Sequence, residues 1–241
     1  MSLPLKLALA PLLIPQAVLT RRRLPKLPEA AGPRQGHVGH TGRGGEALSL
    51  LILGDSSAAG VGVDHQRLAL AGQLSQALAA QLGRRVAWQL CARSGVTTAQ
   101  ALALVADARP ADVAVVVSGV NDVVDQVRPA AALRHREALV QALQRQAGVR
   151  QVVMTAVPPM DRFAGLPQPL RWLAGRDAAA HEAALRRWAA RQPQVSHLPF
   201  DLPLDDATLL ARDGFHPGAP LYRLWGEALA AHIARAVVPR L

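Results

Sequence analysis

Four short apolar runs, at 48–53, 86–90, 113–117 and 152–157, constrain this chain more than any other feature. They lack the polar alternation of a strand with one wet face, so they read as strands covered on both sides. Around them lie stretches of helical length: about 66–82, 97–108, 129–147 and 177–191, then a last one from 217 to about 237. Strand alternating with helix implies a parallel sheet with right-handed crossovers. In such sheets, sites form outside the carboxyl ends of the strands. At 241 residues, half of them hydrophobic, the chain is long enough for one α/β domain and short for two.

The strand ends carry polar residues in a definite order. The first run leads into Gly54-Asp55-Ser56-Ser57, where a sharp turn would expose the Ser56 hydroxyl at the start of a helical region. An ordinary Asp/Ser helix cap fits the same residues. After the second run comes Ser94-Gly95-Val96-Thr97, whose glycine offers a bare N–H or serves as a plain turn. The third run ends in Ser118-Gly119-Val120-Asn121-Asp122, and a side-chain amide there can donate to a developing oxyanion or form an Asx turn. Near the C-terminus stands Asp213-Gly214-Phe215-His216-Pro217. An Asp three residues before a His can reach its Nδ1, leaving Nε2 to take a serine proton. Pro217 suits the first turn of the last helix. Each segment alone has a bland reading, but chance explains the four in this order poorly.

The arrangement resembles the SGNH hydrolases, also called GDSL esterases and lipases. Their blocks are a Gly-Asp-Ser nucleophile segment, a second-block glycine, a Gly-x-Asn-Asp and a closing Asp-x-x-His-Pro. The matched region runs from about residue 48 to the C-terminus. The resemblance implies a flavodoxin-like three-layer α/β/α fold with about five parallel strands. It implies a serine esterase acting on carboxylic esters, with Ser56, Asp213 and His216 as the catalytic set. Ser56, Gly95 and Asn121 would form the oxyanion hole, and no metal or organic cofactor would be needed. Ser57 stands where many members carry an aliphatic residue, and Cys91-Ala92-Arg93-Ser94 replaces the Asn-rich approach to the second-block glycine. No Gly-x-Ser-x-Gly elbow occurs, which excludes the usual α/β-hydrolase.

Substrate is less constrained. The stretch 158–175 follows the fourth run and holds Met160, Phe163 and Trp172, which would line an acyl pocket or lid unless the segment is a packed loop. Lipid or lysophospholipid esters compete with small acetyl esters of sugars or other compounds, and a non-catalytic lipid-binding module keeping the fold is the rival from another class.

The net charge of +10 comes from 27 Lys+Arg against 17 Asp+Glu, nearly all arginine and scattered. With one Tyr, three Phe and four Trp, little is available to stack bases, so nucleic acid is not expected as a partner. Cys91 is alone and admits no internal disulfide. Residues 1–45 read as an apolar and basic segment plus linker, and 46–241 as the hydrolase domain. Apolar residues 3–19 precede Arg21, Arg22, Arg23 and Lys26 and contain Pro4, Pro11 and Pro15. The charge order fits a cleaved signal poorly, and the stretch is short for a membrane span. A helix lying in a membrane interface, through residues 3–23, or packing on the domain is the preferred reading. It places the protein in the cytoplasm or against the inner face of the membrane rather than outside the cell. The Gly-rich stretch 32–45, with His37 and His40, reads as linker.

Overall fold

The computed structural model describes residues 3–40, 47–204 and 206–241, with residues 3–9 and Arg21 described by backbone alone. Gly42, Gly44 and Gly45 of the expected linker, and the side chains of Pro4, Lys6 and Arg21, lie outside the described residues. The chain forms a six-stranded sheet between helical layers. Its strands are β1 (Gln35–Val38), β2 (Leu48–Gly54), β3 (Val86–Ala92), β4 (Val113–Val117), β5 (Gln151–Thr155) and β6 (Val195–Leu198), in spatial order β1-β3-β2-β4-β5-β6. Strands β2 to β6 are parallel, and β1 pairs antiparallel with β3. Five parallel strands match the expectation. The sixth falls within the stretch read as linker, where Gln35-Gly36-His37-Val38 offers no apolar run but satisfies the open edge of β3 through its backbone.

The helices are α1 (Leu3–Arg23), α2 (Leu70–Leu82), α3 (Thr98–Ala101), α4 (Val120–Val124), α5 (Pro129–Ala147), α6 (Leu170–Ala189) and α7 (Ala219–His232). Two apolar clusters, one on each face, hold the layers together. Leu51, Leu53, Val116, Leu139, Leu143 and Leu185 meet on one side; Leu50, Ile52, Leu74, Leu78, Tyr222 and Leu229 meet on the other. Every residue of β4 and β5 is buried, which is why those runs show no alternation. Helix α6 begins at Leu170, seven residues before the expected start. Gly175 breaks the helical pattern there, yet a Cβ at that position would stand 2.5 Å from the Asp161 Cβ, so close packing dictates the glycine.

Helix α1 runs through both Pro11 and Pro15. It buries Leu13, and the Gln16 amide bridges the start of α6, donating to the Gln168 carbonyl (2.6 Å) and accepting from the Leu170 N–H (3.1 Å). Leu12, Ile14, Val18 and Leu19 remain exposed. Among the described residues no helix is long and apolar enough to cross a membrane.

Candidate active site

The end of β2 turns abruptly because Gly54 lies against β4: a Cβ there would stand 2.2 Å from the Val117 carbonyl oxygen. The chain then coils through Ser56, with the Val61 N–H donating back to the Ser56 carbonyl (3.0 Å). Tyr222, fully buried on α7, donates its hydroxyl to the Val61 carbonyl (2.7 Å) and ties this turn to the last helix. Gly62, at φ +107°, leaves no room for a Cβ, which would meet the Pro217 carbonyl oxygen at 2.3 Å. Two segments some 160 residues apart are thereby locked together.

That lock brings the His216 Nε2 within 2.9 Å of the Ser56 hydroxyl. On the other side of the ring, Nδ1 lies 2.6 Å from Asp213 Oδ2, while Asp213 Oδ1 accepts the backbone N–H groups of Phe215 and His216, both at 3.0 Å. Burial opposes the charge on Asp213, but the hydrogen bonds from the His216 side chain and backbone outweigh it and hold the carboxyl below its ordinary value. With its carboxylate fixed in this way, the imidazole keeps Nε2 free to accept a proton from Ser56. The loop is braced from outside as well. Phe163 stacks 4.8 Å from Phe215, and the Gly165 N–H donates to the Gly214 carbonyl (3.0 Å).

Gly95, on the loop after β3, and Asn121, in the first turn of α4, lie at the same rim. The loop after β3 is tied to the nucleophile strand by the Arg93 N–H, which donates to the Gly54 carbonyl (3.1 Å). The Asn121 amide donates to the carbonyl of Val96, the residue after Gly95 (2.9 Å), so α4 is tied to the loop that carries the other expected donor. Gly95 adopts φ +81°, with nothing within 4 Å of where a Cβ would be; the backbone angle, not crowding, favours glycine here. Among the described residues, neither the Ser56 N–H nor the Gly95 N–H has an acceptor. Asp122, next to Asn121, is fully buried; it accepts from the Thr98 N–H (3.0 Å) and hydroxyl (2.5 Å) and faces Arg136 at 3.6 Å. Gly119 turns at φ +130°, and a Cβ there would strike Val157 (2.6 Å) and Arg136 (2.9 Å), so both angle and space require glycine.

An apolar cavity of about 40 Å³ opens beside Ser56, walled chiefly by Phe163, Phe200, Leu202, Leu204, Leu210 and Trp225. Of the three residues singled out from the 158–175 stretch, only Phe163 lines it. Met160 is buried in the core, and Trp172 stands 39% exposed on α6 beneath the Arg176 guanidinium. The wall formed by Phe200, Leu202 and Leu204 escaped the sequence reading because those residues belong to no strand or helix. Cys91 is half-buried, and burial pushes its thiol above the ordinary range, away from thiolate chemistry.

Residues 52–224 match the GDSL-like lipase/acylhydrolase family. A GDSL-like esterase of Mycobacterium tuberculosis, Rv1075c, is 29% identical over 95% of this chain and 78% of its own length. Among solved structures, TesA superposes with a TM-score of 0.62 at 22% identity, covering 80% of this chain and 100% of that one. The psychrotrophic esterase EstA from Pseudoalteromonas sp. gives a TM-score of 0.60 at 19% identity, covering 78% and 97%. With the family match spanning most of the chain and the four blocks meeting at one rim of the sheet, this chain belongs to the GDSL (SGNH) family of acyl ester hydrolases.

Proposed function

We propose that the chain hydrolyses carboxylic esters through an acyl-enzyme on Ser56. The reading is carried by one observation: an unbroken hydrogen-bond chain from Ser56 through His216 to Asp213. His216 takes the Ser56 proton as the oxygen attacks the ester carbonyl, then returns it to the departing alcohol. Water, activated by the same imidazole, releases the acid. Negative charge on the carbonyl oxygen is received by the N–H groups of Ser56 and Gly95 and by the Asn121 amide.

The apolar cavity fits the acyl group. Its volume of about 40 Å³ is room for roughly three water-sized spheres, which suits a short acyl chain. A long chain would require Phe163 or the 200–210 wall to move. The test is a panel of p-nitrophenyl esters from acetyl to decanoyl, run on the wild type and on Ser56→Ala. Ser56→Ala should lose activity by at least roughly 10⁴-fold while keeping its fold, and kcat/KM should peak at short acyl length. Activity in the pure Ser56→Ala protein ends the proposal; a decanoyl optimum refutes the short-chain assignment. A fluorophosphonate probe that labels folded wild type separates an enzyme from a binding module.

A second reading concerns where the ester is met. Exposed Leu12, Ile14, Val18 and Leu19 on α1 are followed by exposed Arg22, Arg23 and Lys26, a match for an anionic bilayer surface. Through Gln16, the same helix holds the start of α6, close to the Phe163–Leu166 segment that braces the His216 loop. Flotation with phosphatidylglycerol-containing vesicles should carry the full chain upward, and phosphatidylcholine vesicles or high salt should carry less. Equal recovery from both vesicle types sinks this reading.

A further inference from the structure

The stretch before β1 lies outside the family match, yet it touches both halves of the site. Ala30 N–H donates to the Ala59 carbonyl (3.2 Å) and Ala31 N–H to the Asp64 carbonyl (3.0 Å). The buried Gln66 amide donates to the carbonyls of both Ala30 (3.1 Å) and Ala59 (2.9 Å). These bonds fix the stretch along the turn that follows Ser56. From this anchored position Glu29 extends across the rim, and its Oε1 accepts the Ser94 N–H at 2.7 Å. Its Oε2 meets Arg34 (3.3 Å), whose other nitrogen donates to the Ala92 carbonyl (2.6 Å). Residues 92–94 are therefore gripped by one acid and one base from the same short segment.

We infer that Glu29 is a positioning residue for the oxyanion donor Gly95. The inference rests on the esterase reading of Ser56 given above. Gly95 has open space around it, and glycine tolerates either sign of φ, so the Ser94–Gly95 peptide is intrinsically easy to rotate. Such a rotation turns the Gly95 N–H away from the carbonyl oxygen that Ser56 attacks. Three bonds fix the chain that flanks it: Arg93 to Gly54, Asn121 to Val96, and Glu29 to the Ser94 N–H, which belongs to the peptide immediately before. The first two sit on either side of the Ser94–Gly95 peptide. Only the third acts on Ser94 itself. A carboxylate accepting a backbone N–H makes a charge-assisted bond, stronger than a neutral one. Glu29 touches no reacting atom; its effect passes through the loop and falls on the transition state, where the oxyanion forms.

Glu29→Ala and Glu29→Gln in the full chain, assayed with p-nitrophenyl acetate beside wild type and Ser56→Ala, test the inference. Glu29→Ala should lower kcat by roughly ten- to a hundred-fold, as expected for a donor displaced by a fraction of an ångström to an ångström, with KM within two-fold. The rate of fluorophosphonate labelling of Ser56 should fall in parallel, and the melting temperature should move little because the bonds of Ala30, Ala31 and Gln66 still anchor the segment. Glu29→Gln keeps an oxygen acceptor and should recover most of kcat. The inference is overturned by an unchanged kcat in Glu29→Ala, by a loss confined to KM, or by Glu29→Gln failing as badly as the alanine variant. An active Ser56→Ala overturns the reading beneath it, and this inference with it; an inactive Ser56→Ala beside an unaffected Glu29→Ala overturns this inference alone.

Discussion

Each half of the proposed site carries one buried carboxylate next to a residue assigned a role in it, and the two are stabilised differently. Asp122, beside Asn121, faces the buried Arg136 and accepts two bonds from Thr98. Asp55, beside Ser56, is 3% exposed and makes no ion pair among the described residues; the Ser57 N–H at 3.0 Å is its main partner. On the oxyanion side, charge is matched with charge, at the expense of a guanidinium whose nitrogens make no hydrogen bond among the described residues. On the nucleophile side, burial pushes the Asp55 carboxyl up to about 6, even though the Ser57 N–H and the field of His216 pull it down. The difference teaches that a buried acid near a site can be a structural member or a source of strain, and that its partners decide which.

One substitution made at both positions separates the two roles. Asp122→Asn removes the acid that faces the buried Arg136 and leaves only the weaker field of Glu182 to offset its charge, although burial already pulls that guanidinium below its ordinary range. Breaking one side of a buried pair costs about 3–5 kcal/mol, so chemical denaturation of Asp122→Asn should show a loss of that size across neutral pH. Arg136→Met in the same background should recover part of it, because the stranded charge is then removed. If Asp122→Asn is as stable as wild type, the ion pair is not what holds the β4–α4 turn, and the contrast with Asp55 fails.

Much of the proposed site was legible before the structure, and particular residues show why. Ser56, Gly95, Asn121, Asp213 and His216 each sit at a strand end or at the mouth of the last helix, where parallel-sheet topology concentrates chemistry. Strands β2, β4 and β5 stood out because they are buried on both faces, so their apolar runs are continuous; β3, only partly buried, stood out through Val86, Ala87, Trp88 and Leu90. By contrast, β6 (Val-Ser-His-Leu) is four residues long with only Val195 buried, and β1 adds to its backbone pairing one apolar side chain, the half-buried Val38. Neither presents a hydrophobic pattern to read. Glu29 was invisible for a related reason: a lone acid in a Pro-flanked segment announces nothing until folding sets it against the Ser94 N–H. Phe200, Leu202 and Leu204 wall the cavity from a stretch without regular structure, so periodicity had no purchase there.

Asp55→Asn should have the opposite sign to Asp122→Asn, and pH controls its size. An Asp55 carboxyl whose value is raised from 3.8 to about 6 by folding is held more readily as the neutral acid in the native state than in the unfolded chain. Its contribution is therefore most favourable below the ordinary value, declines as pH rises through the interval between the two, and stays at the lower level above about 6. At about 1.4 kcal/mol per unit, the span is at most about 3 kcal/mol. Asp213 works in the other direction, but its lowered value confines its effect to more acidic solution, so it does not mask the trend. Asparagine keeps an oxygen for the Ser57 N–H and carries no charge to bury. Asp55→Asn should match wild type near pH 4 and exceed it at pH 8, by up to the same figure of about 3 kcal/mol in chemical denaturation. Equal stability of the two proteins at both pH values would mean that water reaches this carboxylate, and that the nucleophile turn is less tightly closed than its packing against Pro217 and Tyr222 requires.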